Sequence, residues 1–294
     1  ILHSVMSYKG GEFNDKSIVG LVWKSESHYE GSVRGEEMLD WTQNYSGIGA
    51  NPSVNTIYYY GVNNYRAASA LALGSSSDRM TASEVYNGAL NISRTYSTSI
   101  TADLKSKTFY FGFKGDELTD YSQNFMVVNG TYSVKDTAIY YYRLNDVLDT
   151  VQTRKGGTIN SNTVTNAENP AKSIAWYKGA IRGEELLDFT RYYTGLASGN
   201  AVSTTTIYYY GTDHYRAGSA LDAGRSSVAM TASEVYNYGH GQETTPILYT
   251  EDLTGSYASD IRSKTHYFGY KGDELASYSQ NFMISDTAGT RDVK

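Results

Sequence analysis

The sequence predicts a mainly β protein made by tandem duplication, each unit of ~150 residues a β-sandwich or small β-barrel of about eight strands with short helices. Three observations predict it. Residues 56–87 recur as residues 206–237 with 23 of 32 positions identical and no gap, and residues 106–126 recur as 263–283 with 17 of 21 identical. A shorter motif, repeated four times, runs straight into period-two alternation. The composition favours pleated surface: 29 Tyr against 3 Pro in 294 residues, and Tyr suits half-exposed strands that prolines would interrupt. The units divide as residues 1–150 and residues 151–294, each long enough to bury a core unaided.

The short motif reads Tyr-x-Gly, one or two residues, Arg or Lys, Gly, acid, Glu, then Leu or Met. It starts at Tyr29, Tyr110, Tyr177 and Tyr267. With a Tyr triplet at Tyr58–Tyr60, Tyr140–Tyr142 and Tyr208–Tyr210, it suggests that each unit consists of two quarter-repeats. After the acids, one set of alternate positions carries Leu39, Trp41, Gln43 and Tyr45, matched by Leu187, Phe189, Arg191 and Tyr193 in the third copy. The other copies give Thr119, Tyr121, Gln123, Phe125 and Ala276, Tyr278, Gln280, Phe282. A period of two kept in all four predicts a half-buried strand, with the Gly-acid segment as a hairpin turn. Met38, Trp41 and Tyr45 also fit a helical stripe, but the strand accounts for more positions.

Arg66 to Leu73 and Arg216 to Ala223 are Ala- and Leu-rich and stop at Gly74 and Gly224, which predicts two short helices. Thr81-Ala82-Ser83-Glu84 and its copy at Thr231 to Glu234 have capping-box spacing and predict a brief helical turn. The offset between copies grows from 148 (Gly35 to Gly183) to 150 (Tyr60 to Tyr210) and 157 (Gly115 to Gly272). Length changes are tolerated in connections, so loops are expected between Tyr193 and Thr206 and between Asn237 and Ser263. The polar stretch Thr150 to Pro170 is the expected linker or long loop between the halves.

Composition excludes several function classes. The net charge is −6 and the 25 Lys and Arg are scattered singly, which argues against nucleic acid and anionic membrane surfaces. There is no cysteine, so disulfides, thiolate metal sites and Cys nucleophiles are out. No apolar run is long enough for a transmembrane helix. The mean hydropathy of −0.47 and tracts such as Arg154 to Lys172 argue against an outer-membrane barrel. Absent cysteine, low lysine and a surface rich in Ser, Thr, Asn, Gly and Tyr point to an extracellular or bacterial cell-surface location. The opening residue, Ile1, fits a removed leader or a trimmed start.

Signals for catalysis are thin. The histidines (His3, His28, His214, His240, His266) show no metal-ligand spacing. Neither a nucleophile elbow nor a phosphate loop or dinucleotide fingerprint occurs, so no cofactor is expected. The pairs Glu36-Glu37, Asp116-Glu117, Glu184-Glu185 and Asp273-Glu274 recur four times, whereas a catalytic centre is normally single. Adjacent strand residues also point to opposite faces, unlike a glycosidase pair. These acids therefore read as turn residues meeting the neighbouring Arg or Lys. The binding candidates are Tyr58, Tyr60, Tyr65 and Arg66, with Tyr208, Tyr210, Tyr215 and Arg216, because Tyr and Arg together make binding hot spots. The leading expectation is a non-catalytic, surface-attached or secreted protein that self-associates or binds glycan or protein surfaces through Tyr-rich strands. The alternatives are a barrel capturing haem or another flat hydrophobic molecule, and a polysaccharide-acting enzyme.

Overall fold

Alternating side chains become strand after strand. In the computed structural model, which describes residues 1–9, 21–46, 51–74, 77–164, 169–194, 201–224, 226–237, 249, 260–284 and 291–293, the chain is mainly β. It divides into two compact units, residues 1–137 with 156–163 and residues 138–155 with 164–294.

In unit 1 the strands are β1 (Ser4–Lys9), β2 (Val22–Glu30), β3 (Met38–Ser46), β4 (Asn51–Tyr60), β5 (Met80–Asn87), β6 (Leu104–Phe111) and β7 (Leu118–Val128). Helix α1 (Ala67–Ala72) joins β4 to β5, and β8 (Thr131–Tyr142) starts in this unit. From β1 to β7, each strand pairs antiparallel with the next. Unit 2 repeats the plan with β9 (Leu148–Lys155), β10 (Ala171–Lys178), β11 (Leu186–Tyr193), β12 (Val202–Tyr210), the two-residue β13 (Tyr215–Arg216), helix α2 (Ala217–Asp222), β14 (Met230–Asn237), β15 (Ile261–Phe268), β16 (Leu275–Ile284) and β17 (Arg291–Val293). Its ladder runs antiparallel through β9, β10, β11, β12, β14, β15, β16 and β17.

Neither ladder closes on itself among the described residues. The sandwich or small barrel expected from the sequence is not seen among the described residues, where each ladder is an open antiparallel meander whose faces are covered by its own connections. In β4, Asn55, Ile57 and Tyr59 are fully buried on one face. Ile57 and Tyr59 pack there with Ala82, Tyr86 and Leu104, under Leu90, Tyr96 and Ile100 of the connection between β5 and β6. Tyr58 and Tyr60 turn the other way and meet Met38, Ala67 and Ala70, with α1 as the lid. Unit 2 packs Ile207, Tyr209, Ala232, Tyr236 and Ile261 on one face, and Tyr210, Leu186, Ala217 and Ala220 on the other. One tyrosine ring spans a wide patch, and each large apolar side chain removed from water contributes about 1.5–3 kcal/mol.

Both short helices form and stop at Gly74 and Gly224, whose φ of 74° and 70° suits glycine. The helical turns expected at Thr81 and Thr231 do not form. Those residues lie in β5 and β14, where Ala82, Glu84 and Tyr86 face the core at period two and pair on both sides. Part of the expected linker is also strand, since β9 pairs with β10. The loop expected between Tyr193 and Thr206 gives way to β12 from Val202 onward, with residues 195–200 outside the described set, and the loop expected between Asn237 and Ser263 falls largely outside it.

Candidate functional site

Each copy of the short motif is a hairpin tip, and its glycines explain why. Gly35, Gly115, Gly183 and Gly272 adopt φ of 83–90°, a region closed to most side chains. A bulge sits just before the motif tyrosine in all four copies, between His28 and Tyr29, Phe109 and Tyr110, Trp176 and Tyr177, and His266 and Tyr267. The second acid locks the tip. Glu37 Oε2 accepts the Gly35 N–H at 2.6 Å and its Oε1 accepts Leu2 N–H at 3.0 Å. Glu117 takes Gly115 and Met80, Glu185 takes Gly183 and Leu148, and Glu274 takes Gly272 and Met230, all at 2.8–3.1 Å. These acids clasp backbone amides of their own tip and of a neighbouring strand start, rather than simply meeting the adjacent cation. At Glu37 the amides of Leu2 and Gly35 hold the carboxyl below the usual carboxylate range.

The tip itself is displayed. Between the glycines stand Val33-Arg34, Phe113-Lys114, Ile181-Arg182 and Tyr270-Lys271, an apolar residue beside an exposed cation. The apolar members are 53%, 83%, 59% and 86% exposed. In a meander, alternate connections fall at the same end of the sheet. Within unit 1 the β2–β3 tip, the β4–α1–β5 connection and the β6–β7 tip therefore share one end, tied by Arg79 Nη1 donating to Gly112 O at 3.1 Å. Unit 2 repeats this with the β10–β11 tip, α2 and the β15–β16 tip. Beside the β10–β11 tip lies a shallow hollow of about 380 Å³ lined by Arg143, Leu144, Val147, Gly179 and Ala180.

The Tyr/Arg block is divided between surface and interior. Tyr65 is 36% exposed at the tip end of unit 1, and Tyr215 is half-buried at the matching place in unit 2. Tyr58 and Tyr208 are half-buried against their helices, and burial pushes the Tyr208 phenol up to about 12. Tyr60 and Tyr210 are buried, donating to Leu39 O at 2.6 Å and Leu187 O at 2.7 Å. Arg66 and Arg216 hold Asp40 and Asp188 in two-pronged ion pairs that fix the start of each helix, and Arg66 also donates to Ile92 O and Arg94 O. The structure thus brings each Tyr-Arg set together around a helix, with Tyr65 and Tyr215 nearest to solvent.

Sequence reasoning missed a buried polar centre in each unit. Glu84, wholly buried, accepts the Tyr59 and Tyr86 hydroxyls on Oε2 at 2.8 and 2.5 Å and pairs through Oε1 with the wholly buried Lys107 at 2.8 Å. Glu234, Tyr209, Tyr236 and Lys264 repeat it at 2.8, 2.6 and 3.1 Å. Burial, and then the Glu84 charge, drive the Tyr59 phenol far above its ordinary value. The available signal was Glu84 and Lys107 recurring unchanged as Glu234 and Lys264. Of the histidines, His214 sits at a left-handed position (φ 51°) that Asn64 fills in unit 1 (φ 53°). His266 stacks on Tyr278 just as Phe109 stacks on Tyr121. Both are accommodated as structural replacements.

No helix among the described residues is long and apolar enough to cross a membrane, and no group of three or more His, Asp or Glu there could hold a metal ion. No protein-family model and no curated protein sequence matches the chain. Among solved structures, a porin-like protein from Bacteroides uniformis matches at 12% identity, over 81% of this chain and 92% of that one, with a TM-score of 0.19. The Tc holotoxin pore of Photorhabdus luminescens matches at 9% identity over 99% of this chain and 15% of that one, with a TM-score of 0.16. At such TM-scores neither likeness carries an argument.

Proposed function

We propose that this chain is a non-catalytic binding or assembly protein of the extracellular space or bacterial cell surface, making contact through the hairpin-tip end of each unit. One observation carries the reading: four tips, built alike and locked alike, each present an exposed apolar or aromatic side chain beside a cation. Aromatic and basic side chains held on a rigid turn are the composition of binding hot spots and lose little entropy on contact. Tyr65 and Tyr215 widen that surface, while Tyr58, Tyr60, Arg66, Tyr208, Tyr210 and Arg216 support it from behind. Several equivalent tips on one chain suit avidity for a repetitive partner, such as a glycan layer or further copies of the chain. A ligand-capturing barrel has less support, because the described sheets are open. A polysaccharide-acting enzyme has less support as well, because the repeated acids are engaged by backbone amides.

Glycan-array binding and sedimentation of the full chain test this, comparing wild type with Phe113→Ser/Tyr270→Ser. The expected result is glycan binding or concentration-dependent association that falls at least tenfold in the double variant, with an unchanged far-UV spectrum. A wild-type chain that neither associates nor binds any glycan, or a double variant as active as wild type, would overturn the reading.

A further inference from the structure

Lys107 is fully buried, and an ammonium group there must find acceptors for its hydrogens. Three lie within reach: Glu84 Oε1 at 2.8 Å, the Ser97 carbonyl, and Asn160 Oδ1 at 3.2 Å. The third differs in kind, because a carboxamide is an acyl electrophile as well as an acceptor. Its carbon lies one bond beyond the oxygen that the lysine nitrogen touches.

Asn160 is held in place. Its N–H donates to Gln123 Oε1 at 2.9 Å, while Gln123 Nε2 donates to Thr158 O at 2.9 Å and Ser161 O at 3.1 Å. Asn160 adopts φ of 58° and Gly157 φ of 135°, and the Lys107–Asn160 contact sets this loop against β6. Glu84 Oε2 is occupied by the two phenols, while Oε1 faces the lysine and also accepts the Ser97 N–H at 3.3 Å. The Tyr96 ring lies 4.6 Å from the lysine nitrogen and helps keep water away.

We infer that Lys107 and Asn160 become joined by an intramolecular isopeptide bond, with Glu84 as the proton carrier. The ammonium first gives a proton to Glu84 Oε1, freeing the lone pair on Nζ. That pair attacks Asn160 Cγ, forming the Nζ–Cγ bond as the carbonyl electrons move onto oxygen. Glu84 then relays a proton to Nδ2, the carbonyl re-forms, the Cγ–Nδ2 bond breaks, and Nζ passes its second proton through Glu84 to the departing ammonia. Lysine ammonium and carboxamide become a secondary amide and ammonium, so atoms and charge balance without an oxidant or a co-reactant. Burial lowers the Lys107 pKa while the Glu84 charge opposes it, which favours the neutral amine the attack requires. Fixing nucleophile and electrophile in contact replaces a bimolecular encounter, and excluding water suppresses hydrolysis. The bond would fasten residues 156–163 to β6 within unit 1. It stands independently of the proposed function.

Intact mass spectrometry of the folded full chain, followed by peptide mapping, tests this. The expected mass lies below the sequence mass by one ammonia, with a branched peptide linking Lys107 to Asn160. Mapping is needed because Asn129-Gly130 can also lose ammonia, through a succinimide. Asn160→Ala changes a half-buried loop residue and leaves the Glu84–Lys107 pair intact; it should restore the sequence mass with an unchanged far-UV spectrum. Glu84→Gln should abolish the branched peptide, and Lys264→Arg should retain it. Folded wild-type chain at full sequence mass after prolonged incubation, or a loss that persists in Asn160→Ala without a Lys107 branch, would overturn the inference.

Discussion

Replacing Lys264 by Met removes one charge from a pair that water does not reach. Lys264 is 4% exposed and Glu234 not at all, and the lysine nitrogen stands 3.1 Å from Oε1. Removing one partner of a buried ion pair costs about 3–5 kcal/mol, because the remaining charge is desolvated without compensation. Here Tyr209 and Tyr236 still donate to Oε2 at 2.8 and 2.6 Å, which places the cost near the lower end, about 3 kcal/mol. For a unit of this size that is a fall in Tm of about 6–12 °C. Adding Glu234→Gln removes the stranded charge and should recover about 1–2 kcal/mol. Asp149→Asn provides the contrast, since the Arg143–Asp149 pair has side chains 40% and 44% exposed and should contribute less than about 1 kcal/mol. Urea denaturation followed by circular dichroism reads all three. If Lys264→Met were no more destabilising than Asp149→Asn, or if the double variant were worse than the single, the buried polar centre would not exist as described.

Three further outcomes follow from other parts of the molecule. Glu185→Ala frees the Gly183 and Leu148 amides and should cost about 1–2 kcal/mol, read as faster hydrogen exchange at both amides before the midpoint moves. Gly157→Ala places a methyl 2.5 Å from Thr137 Oγ1 at φ of 135°, and should destabilise unit 1 by about 2 kcal/mol or more, with lost exchange protection at Asn160. His266 is pushed below its ordinary pKa, first by burial and then by the Lys264 ammonium. The unfolded chain therefore takes up the proton first. The stability tied to the neutral ring is whole above about pH 6.5 and declines as pH falls through the folded value. His266→Phe, which installs the residue found at Phe109, should flatten the stability profile between about pH 7 and pH 5.

Local features were legible in the sequence. Alternation announced β3 and its copies, Gly74 and Gly224 announced the helix ends, and the paired glycines announced the tips. What failed depended on partners distant in the chain. Thr81 to Glu84 carries the spacing of a helix start, yet Glu84 lies opposite Lys107 in the ladder, and a buried pair of that kind is visible only once register is known. The Tyr triplet alternates faces as expected, but whether rings meet solvent or a covering loop depends on residues 88–103, whose sequence carries no periodic signal. The recurring Glu looked like the partner of its neighbouring cation because sequence adjacency hides the amides of Leu2, Met80, Leu148 and Met230.

Mild nitration of the native chain with peptide mapping measures most directly which phenols meet water. Tyr270 should be modified first, with Tyr192 and Tyr278 following, while Tyr59, Tyr86, Tyr209 and Tyr236 stay unmodified until denaturant is added. Nitration of Tyr59 or Tyr209 in the folded chain at the rate of Tyr270 would contradict it.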